Sequence, residues 1–281
     1  MAQSVRLRPV NSRQNALVKE LREAFSRGRT EGGLCAVEGV RMIEEAIRSR
    51  IKIHALFVRA SSATKSDRLL EQMGKHTETL LLPNEVFDSA VDTEHPQGVA
   101  ALVKISEPDL ASALQSAPAL VVIAAGIQDP GNLGTLLRSA EAFGASAVVS
   151  VEGSVSHWNP KVVRASAGSI FRLPLLKSTS REVVPELRGR EMRLLGLLAP
   201  GDKSALHERD GSARAPRWIQ ECNLTGSCAL FIGNEGAGLP SGLAREMDEF
   251  IAIPQAKVES LNAGVAASIA LYEARRQRSA K

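Results

Sequence analysis

The sequence predicts an α/β protein in two parts, on three observations. Short apolar segments alternate with helix-like segments over residues 34–105. Residues 106–118 interrupt the pattern, and from Ala119 the alternation resumes with longer, unbroken apolar runs. Strands alternating with helices mark an α/β unit, and runs without polar interruption mark strands buried on both faces, hence a largely parallel sheet. A chain of 281 residues suffices for one large domain or two small ones and needs no disulfide or metal staple.

Taken in order, residues 15–29, NALVKELREAFSRGR, place Leu17, Leu21 and Phe25 at four-residue spacing with basic residues between. This predicts a basic amphipathic helix that ends near Gly28, within a basic helical arm over residues 1–30. Residues 34–37, 53–58, 79–82 and 99–105 read as strands, and 40–49 has helical periodicity; together 31–105 form a small α/β domain. Residues 106–118, SEPDLASALQSAP, hold no core stripe and read as a linker. The second domain, 119–281, opens with ALVVIAA at 119–125; further strands are expected at 146–151, 194–199, 229–232 and 250–253.

Charge is distributed unevenly. The net value is +4, but residues 1–30 carry +5 and residues 273–281 carry +3, which leaves −4 on the body. The ends owe this to Arg6, Arg8, Arg13, Lys19, Arg22, Arg27 and Arg29, and to Arg275, Arg276, Arg278 and Lys281. Such ends fit a phosphate-rich partner, and solvated surface helices would carry the same pattern. Cys35, Cys222 and Cys228 are too irregularly spaced for a disulfide framework and read as free thiols in a reducing cytoplasm. No apolar run approaches the ~18 residues of a membrane span, and the start lacks a signal-peptide core, so a cytoplasmic protein is expected. His54, His76, His95, His157 and His207 are scattered, and no metal site is expected.

Three segments follow predicted strands. The first, Gln128-Asp129-Pro130-Gly131-Asn132-Leu133-Gly134, is a tight strand-to-helix turn with Asn132 at a capping position and Arg138 in the first or second helical turn. In the second, Gly233-Asn234-Glu235-Gly236-Ala237-Gly238, the glycines admit a close ligand. The third runs from Ile253-Pro254 through Glu259-Ser260-Leu261-Asn262 into a small-residue helix, with Ser260 as candidate cap. Ligands of open α/β sheets bind outside the carboxyl ends of the strands, so three such loops should converge on one site.

In this order the segments resemble the SpoU-type (TrmH-like) RNA ribose 2′-O-methyltransferases of the knotted SPOUT class. The matching residues are Asn132, Gly134 and Arg138; Gly233 to Gly238; and Ile253, Pro254, Glu259, Ser260, Leu261 and Asn262. Val37-Glu38-Gly39 and Pro96-Gln97-Gly98-Val99 resemble the small L30e-like substrate-binding domain that precedes such catalytic domains, and residues 159–168 a segment on the RNA side. One departure stands out: Gln255, Ala256 and Lys257 follow Pro254 where Met and then a glycine would be usual.

The resemblance implies a deep C-terminal trefoil knot and a homodimer packed through it, with S-adenosyl-L-methionine as cofactor and RNA, ribosomal before transfer RNA, as substrate. It places the cofactor against Leu230, Ile232, Gly233, Asn234, Gly236, Gly238, Ile253, Pro254, Leu261 and Ala263. Arg138 becomes the central catalytic residue, with Asn132, Glu235, Ser260 and Asn262 around it, and Arg13, Lys19, Arg22 and Arg164 become RNA contacts. The family role of the arginine is that of a base. A guanidinium, which holds its charge, more easily stabilises a forming alkoxide or grips phosphate. Trp158 is expected to pack, or to stack on a base. A non-catalytic RNA-binding or ribosome-assembly protein, a tRNA 2′-O-methyltransferase and a base methyltransferase of the knotted class remain as alternatives.

Overall fold

The computed structural model describes residues 7–74, 77–105, 108–115, 117–200 and 215–279. Arg6, His76, His207 and Lys281 lie outside the described residues. The chain forms two compact units: Met1–Ser106 together with Trp158–Arg172, and Glu107–His157 together with Leu173–Lys281.

The first unit contains β1 (Arg8–Pro9), α1 (Ala16–Arg27), β2 (Leu34–Glu38), α2 (Val40–Arg48), β3 (Lys52–Arg59), α3 (Asp67–Gln72), β4 (Glu78–Leu82), α4 (Asn84–Asp88) and β5 (Val99–Lys104). The sheet order is β1-β4-β3-β5-β2; β5 runs antiparallel to both its neighbours, and the other pairs are parallel. Asn15 caps α1 by accepting from the Leu17 N–H, and Gly28 closes it. The apolar stripe of α1 (Val18, Leu21, Ala24 and Phe25) packs into one core with Phe57, Leu80 and Leu102. Burial of that stripe makes α1 part of the domain rather than a separate arm. Trp158 is buried, which bears out packing over stacking.

The second unit begins earlier than expected. The segment read as a linker holds α5 (Leu110–Ala113), capped by Asp109, and Leu110 is buried in the second core. There follow β6 (Leu120–Ala124), α6 (Pro130–Ala142) and β7 (Ala147–Ser150). The chain then contributes 158–172, with α7 (Pro160–Ala165), to the first unit. It continues with β8 (Leu175–Lys177), α8 (Ser180–Gly189), β9 (Arg193–Leu198), β10 (Arg217–Trp218), β11 (Cys228–Ile232), α9 (Ser241–Ala244), β12 (Glu249–Ala252) and α10 (Ala263–Ser279). The sheet has the order β10-β12-β9-β11-β6-β7-β8, with every pairing parallel. The five expected strands are present within one or two residues. The edge strands β1, β8 and β10 are only two or three residues long, too short to mark a pattern.

Two arginines of the basic tail are committed to structure. Arg278 donates to the carbonyls of Leu224 (2.9 Å), Pro118 (2.9 Å), Ala119 (3.3 Å) and Gly226 (2.7 Å), while Arg276 pairs with Glu273 at 2.7 Å. The three cysteines are free and buried, and burial pushes the Cys35 thiol up to about 12. His157 is a core residue: Nε2 lies 2.6 Å from Ser150 Oγ, and burial, with Lys177 nearby, presses its pKa down to about 4. Among the described residues, no helix is long and apolar enough to cross a membrane, and no cluster could hold a metal ion.

Candidate active site

Strands β12, β9, β11 and β6 are consecutive and parallel, so their carboxyl ends open on one edge of the sheet. After β6, Gly126 and Ile127 donate their N–H groups to Ser154 Oγ (2.9 and 3.1 Å). Asp129 then caps α6 by accepting from the Asn132 N–H at 2.8 Å, and Pro130 takes the first helical position. Asn132 is therefore not the cap. It sits inside the first turn, with its side chain free to face the neighbouring loops.

The loop after β11 is shaped by Asn234. Its backbone exchanges two 3.0 Å hydrogen bonds with Gly238. Its side-chain carbonyl accepts from Gly236 N (2.9 Å) and Ala237 N (3.0 Å), and its amide donates to Gly126 O (3.1 Å). A Cβ on Gly233 would stand 2.4 Å from the Gly238 carbonyl carbon, so this turn closes only with glycine there.

The loop after β12 ends at Asn262, whose Oδ1 accepts from Val265 N at 3.2 Å and caps α10. This role was expected of Ser260. Helix α10 lies close on α6: a Cβ added to Gly264 would be 3.1 Å from Asn132 O and 3.1 Å from Thr135 Cβ. Ser139 and Ser268 join the same two helices with their hydroxyls 2.6 Å apart.

Two side-chain hydrogen bonds tie the three loops together. Asn262 Nδ2 donates to Asn132 Oδ1 at 2.6 Å, and Asn132 Nδ2 donates to Glu235 Oε1. Beside this link lies a cavity of about 600 Å³. Of the expected residues, Ile232, Gly233, Asn234, Glu235, Gly236, Gly238, Ile253, Ser260, Leu261 and Ala263 line it. Leu230 does not, being wholly buried inside β11, nor does Pro254, which is exposed at the start of its loop. Arg138 is the ninth residue of α6, in its third turn rather than its second, because the helix begins at Pro130. Its side chain is exposed and outside the cavity wall.

Leu197, Leu198, Ala199 and Pro200, at the end of β9, form a wall that went unmarked in the sequence, and Gln255, Val258, Glu259 and Ala266 line the cavity as well. The strand rule would have found the β9 wall had its place between β11 and β12 been known. Among the basic residues, Arg22 donates to Ser89 O at 3.0 Å and is held within the first unit. Lys19 and Arg13 are exposed, Arg13 with a 3.4 Å bond to Glu85 O. Arg164 is half-buried on α7, with Nη1 unpartnered.

Residues 119–272 match the SpoU rRNA Methylase family. The chain belongs to that family. Residues 15–101 match the MRM3-like substrate binding domain. The chain is 31% identical over 271 residues to the 23S rRNA (guanosine(2553)-2′-O)-methyltransferase RlmP of Bacillus subtilis, covering 96% of this chain and 100% of that protein. The SpoU methyltransferase AviRb of Streptomyces viridochromogenes, crystallised with AdoMet, superposes with a TM-score of 0.78 at 28% identity, covering 95% of this chain and 100% of AviRb. A crystal structure of an RNA 2′-O ribose methyltransferase gives a TM-score of 0.75 at 29% identity over 96% of this chain and 99% of that one. This SpoU-family chain is thus a methyltransferase that carries a substrate-binding domain ahead of its catalytic one.

Proposed function

We propose that the protein transfers a methyl group from S-adenosyl-L-methionine to a ribose 2′-hydroxyl of ribosomal RNA. The observation that carries this reading is one cavity lined by the end of β9 and the loops after β11 and β12, with Glu235 on its wall joined through Asn132 to Asn262. Similarity to RlmP along its whole length, front domain included, favours ribosomal over transfer RNA.

The cavity suits the cofactor. Its volume of about 600 Å³ accommodates a nucleoside with an amino-acid tail, and Ile232, Ile253, Leu261 and Leu197 give apolar walls for an aromatic base. The turn through Gly233, Gly236 and Gly238 lets a ligand approach the backbone closely, and Glu259 offers a carboxylate to a cation. When bound, the cofactor supplies an electrophilic methyl on sulfur. The chain's own work is positioning, which is worth up to ~7–11 kcal/mol in favourable cases, together with management of charge and of one proton. Arg138 stabilises charge on the ribose oxygen or holds the adjoining phosphate.

In this reading the segment from β12 to α10 threads the trefoil knot of the class, which the packing of α10 on α6 through Gly264 supports. Val265 and Tyr272, 44% and 54% exposed and seven residues apart on α10, provide an apolar face for a second copy. The setting is the cytoplasm.

Arg138→Ala tests the assignment. Single-turnover transfer should fall by ~10²–10³-fold, the cost of losing one stabilising donor, with cofactor affinity by calorimetry unchanged. Near-wild-type transfer would overturn it.

A further inference from the structure

We propose that Glu235 is the group that accepts the proton of the ribose 2′-hydroxyl; the inference rests on the methyltransferase reading above. It comes from the direction of a hydrogen-bond chain. The backbone N–H of Val265 can only donate, so Asn262 must present its carbonyl oxygen there, at 3.2 Å. The Asn262 amide nitrogen is thereby turned to Asn132, which must answer with its own oxygen, at 2.6 Å. Asn132 is left to offer its amide N–H₂ to Glu235 Oε1. Reversing Asn262 would set donor against donor at the start of α10, and reversing Asn132 would set its amide nitrogen against that of Asn262, so the first turn of α10 fixes the polarity of the whole chain.

The chain ends on an acceptor. Glu235 meets that requirement, because the relay reaches its carboxylate through the Asn132 amide. It occupies Oε1 alone. Oε2 makes no hydrogen bond among the described residues, and Glu235 is exposed on the cavity wall. No histidine lines the cavity among the described residues, and Arg138 lies outside its wall. Glu259 also lines the cavity, but no hydrogen bond orients it among the described residues.

The chemistry balances. As the ribose oxygen bonds to the methyl carbon, the carbon–sulfur bond breaks and its electron pair stays on sulfur. The oxygen loses electron density, its proton becomes far more acidic than a carboxylic acid, and that proton passes to Glu235 Oε2 and then to water. An ordinary carboxylate therefore suffices, provided it is ionised and held in place. The charged groups of the elements that carry this chain of bonds, the far end of α10 apart, are Asp129 at the cap of α6, Arg138 and Glu141 on α6, and Lys257 and Glu259 in the loop after β12.

The experiment compares wild type, Glu235→Gln, Glu235→Asp and Glu259→Gln. It reads single-turnover transfer against pH, cofactor affinity by calorimetry, RNA affinity by filter binding and folding by thermal melts. Glu235→Gln should lose ~10²–10⁴-fold in rate, keep both affinities within about twofold and lack the acid limb of the profile. Glu235→Asp should recover part of the rate, and the acid limb should persist in Glu259→Gln. The proposal is overturned if Glu235→Gln stays within about tenfold of wild type, retains the acid limb, or loses cofactor affinity in step with rate. A wild-type chain that binds cofactor and RNA without any transfer would instead overturn the underlying reading.

Discussion

Asn262 donates its side-chain amide to Asn132 across 130 residues of sequence, at 2.6 Å. The same residue caps α10 by accepting from Val265 N, so one side chain both starts the last helix and orients the site. Asn262→Ala should cost on the order of 1 kcal/mol of stability through the lost cap, seen in urea denaturation. It should also lower transfer by more than that loss explains, because Asn132 would then turn freely. Asn262→Ser restores a cap but not the amide donor. It should recover stability and leave transfer impaired; recovery of both would assign Asn262 to capping alone.

The basic residues divide into two sets with opposite expected behaviour. Lys19 and Arg13 are exposed, while Arg278 is bound to four carbonyls. Removing both exposed charges should reduce the salt slope of RNA binding by roughly 1.5–2, with melting unchanged. Arg278→Ala should destabilise the fold by about 2–3 kcal/mol, as loss of charged hydrogen bonds does, and leave the slope as it was. Deleting residues 1–30 cannot separate these effects, because Leu21 and Phe25 belong to the first core.

His157 links stability to pH. Burial lowers its pKa from 6.5 to about 4, so the unfolded chain takes up a proton in that interval that the folded chain refuses. Stability is then full above pH 6.5, declines as pH falls, and levels off near pH 4. The gap corresponds to roughly 3 kcal/mol at most. Urea midpoints measured across that interval should show the decline, and His157→Gln should flatten it. An equal decline in the variant would place the proton elsewhere.

Much of the architecture was legible because burial writes itself into apolar runs. The strands later seen as β6, β7, β9, β11 and β12 lie inside the parallel sheet and read as such. Strands β8 and β10 sit at its edges, where pairing needs only a few residues, and left no pattern. The site was legible through its loops, since glycine and asparagine mark turns that a Cβ or an apolar residue would spoil. The relay was not, because Asn132, Glu235 and Asn262 meet only once α10 lies on α6. Capping misled in both places: Asp129 and Asn262 hold the positions expected of Asn132 and Ser260, since each loop carries two cap-competent residues within three positions of each other. The excursion of 158–172 into the first unit had no local signal, because α7 reads alike on either partner.

The central claim is ribose methylation of RNA. Ribosomal RNA from cells lacking this protein, incubated with purified protein and isotopically labelled S-adenosyl-L-methionine, then digested to nucleosides and resolved by mass spectrometry, tests it most directly. Ribose methylation puts label in a single 2′-O-methylnucleoside, with the added mass on the ribose fragment. Label on a base fragment, or none while the RNA remains bound, would contradict it.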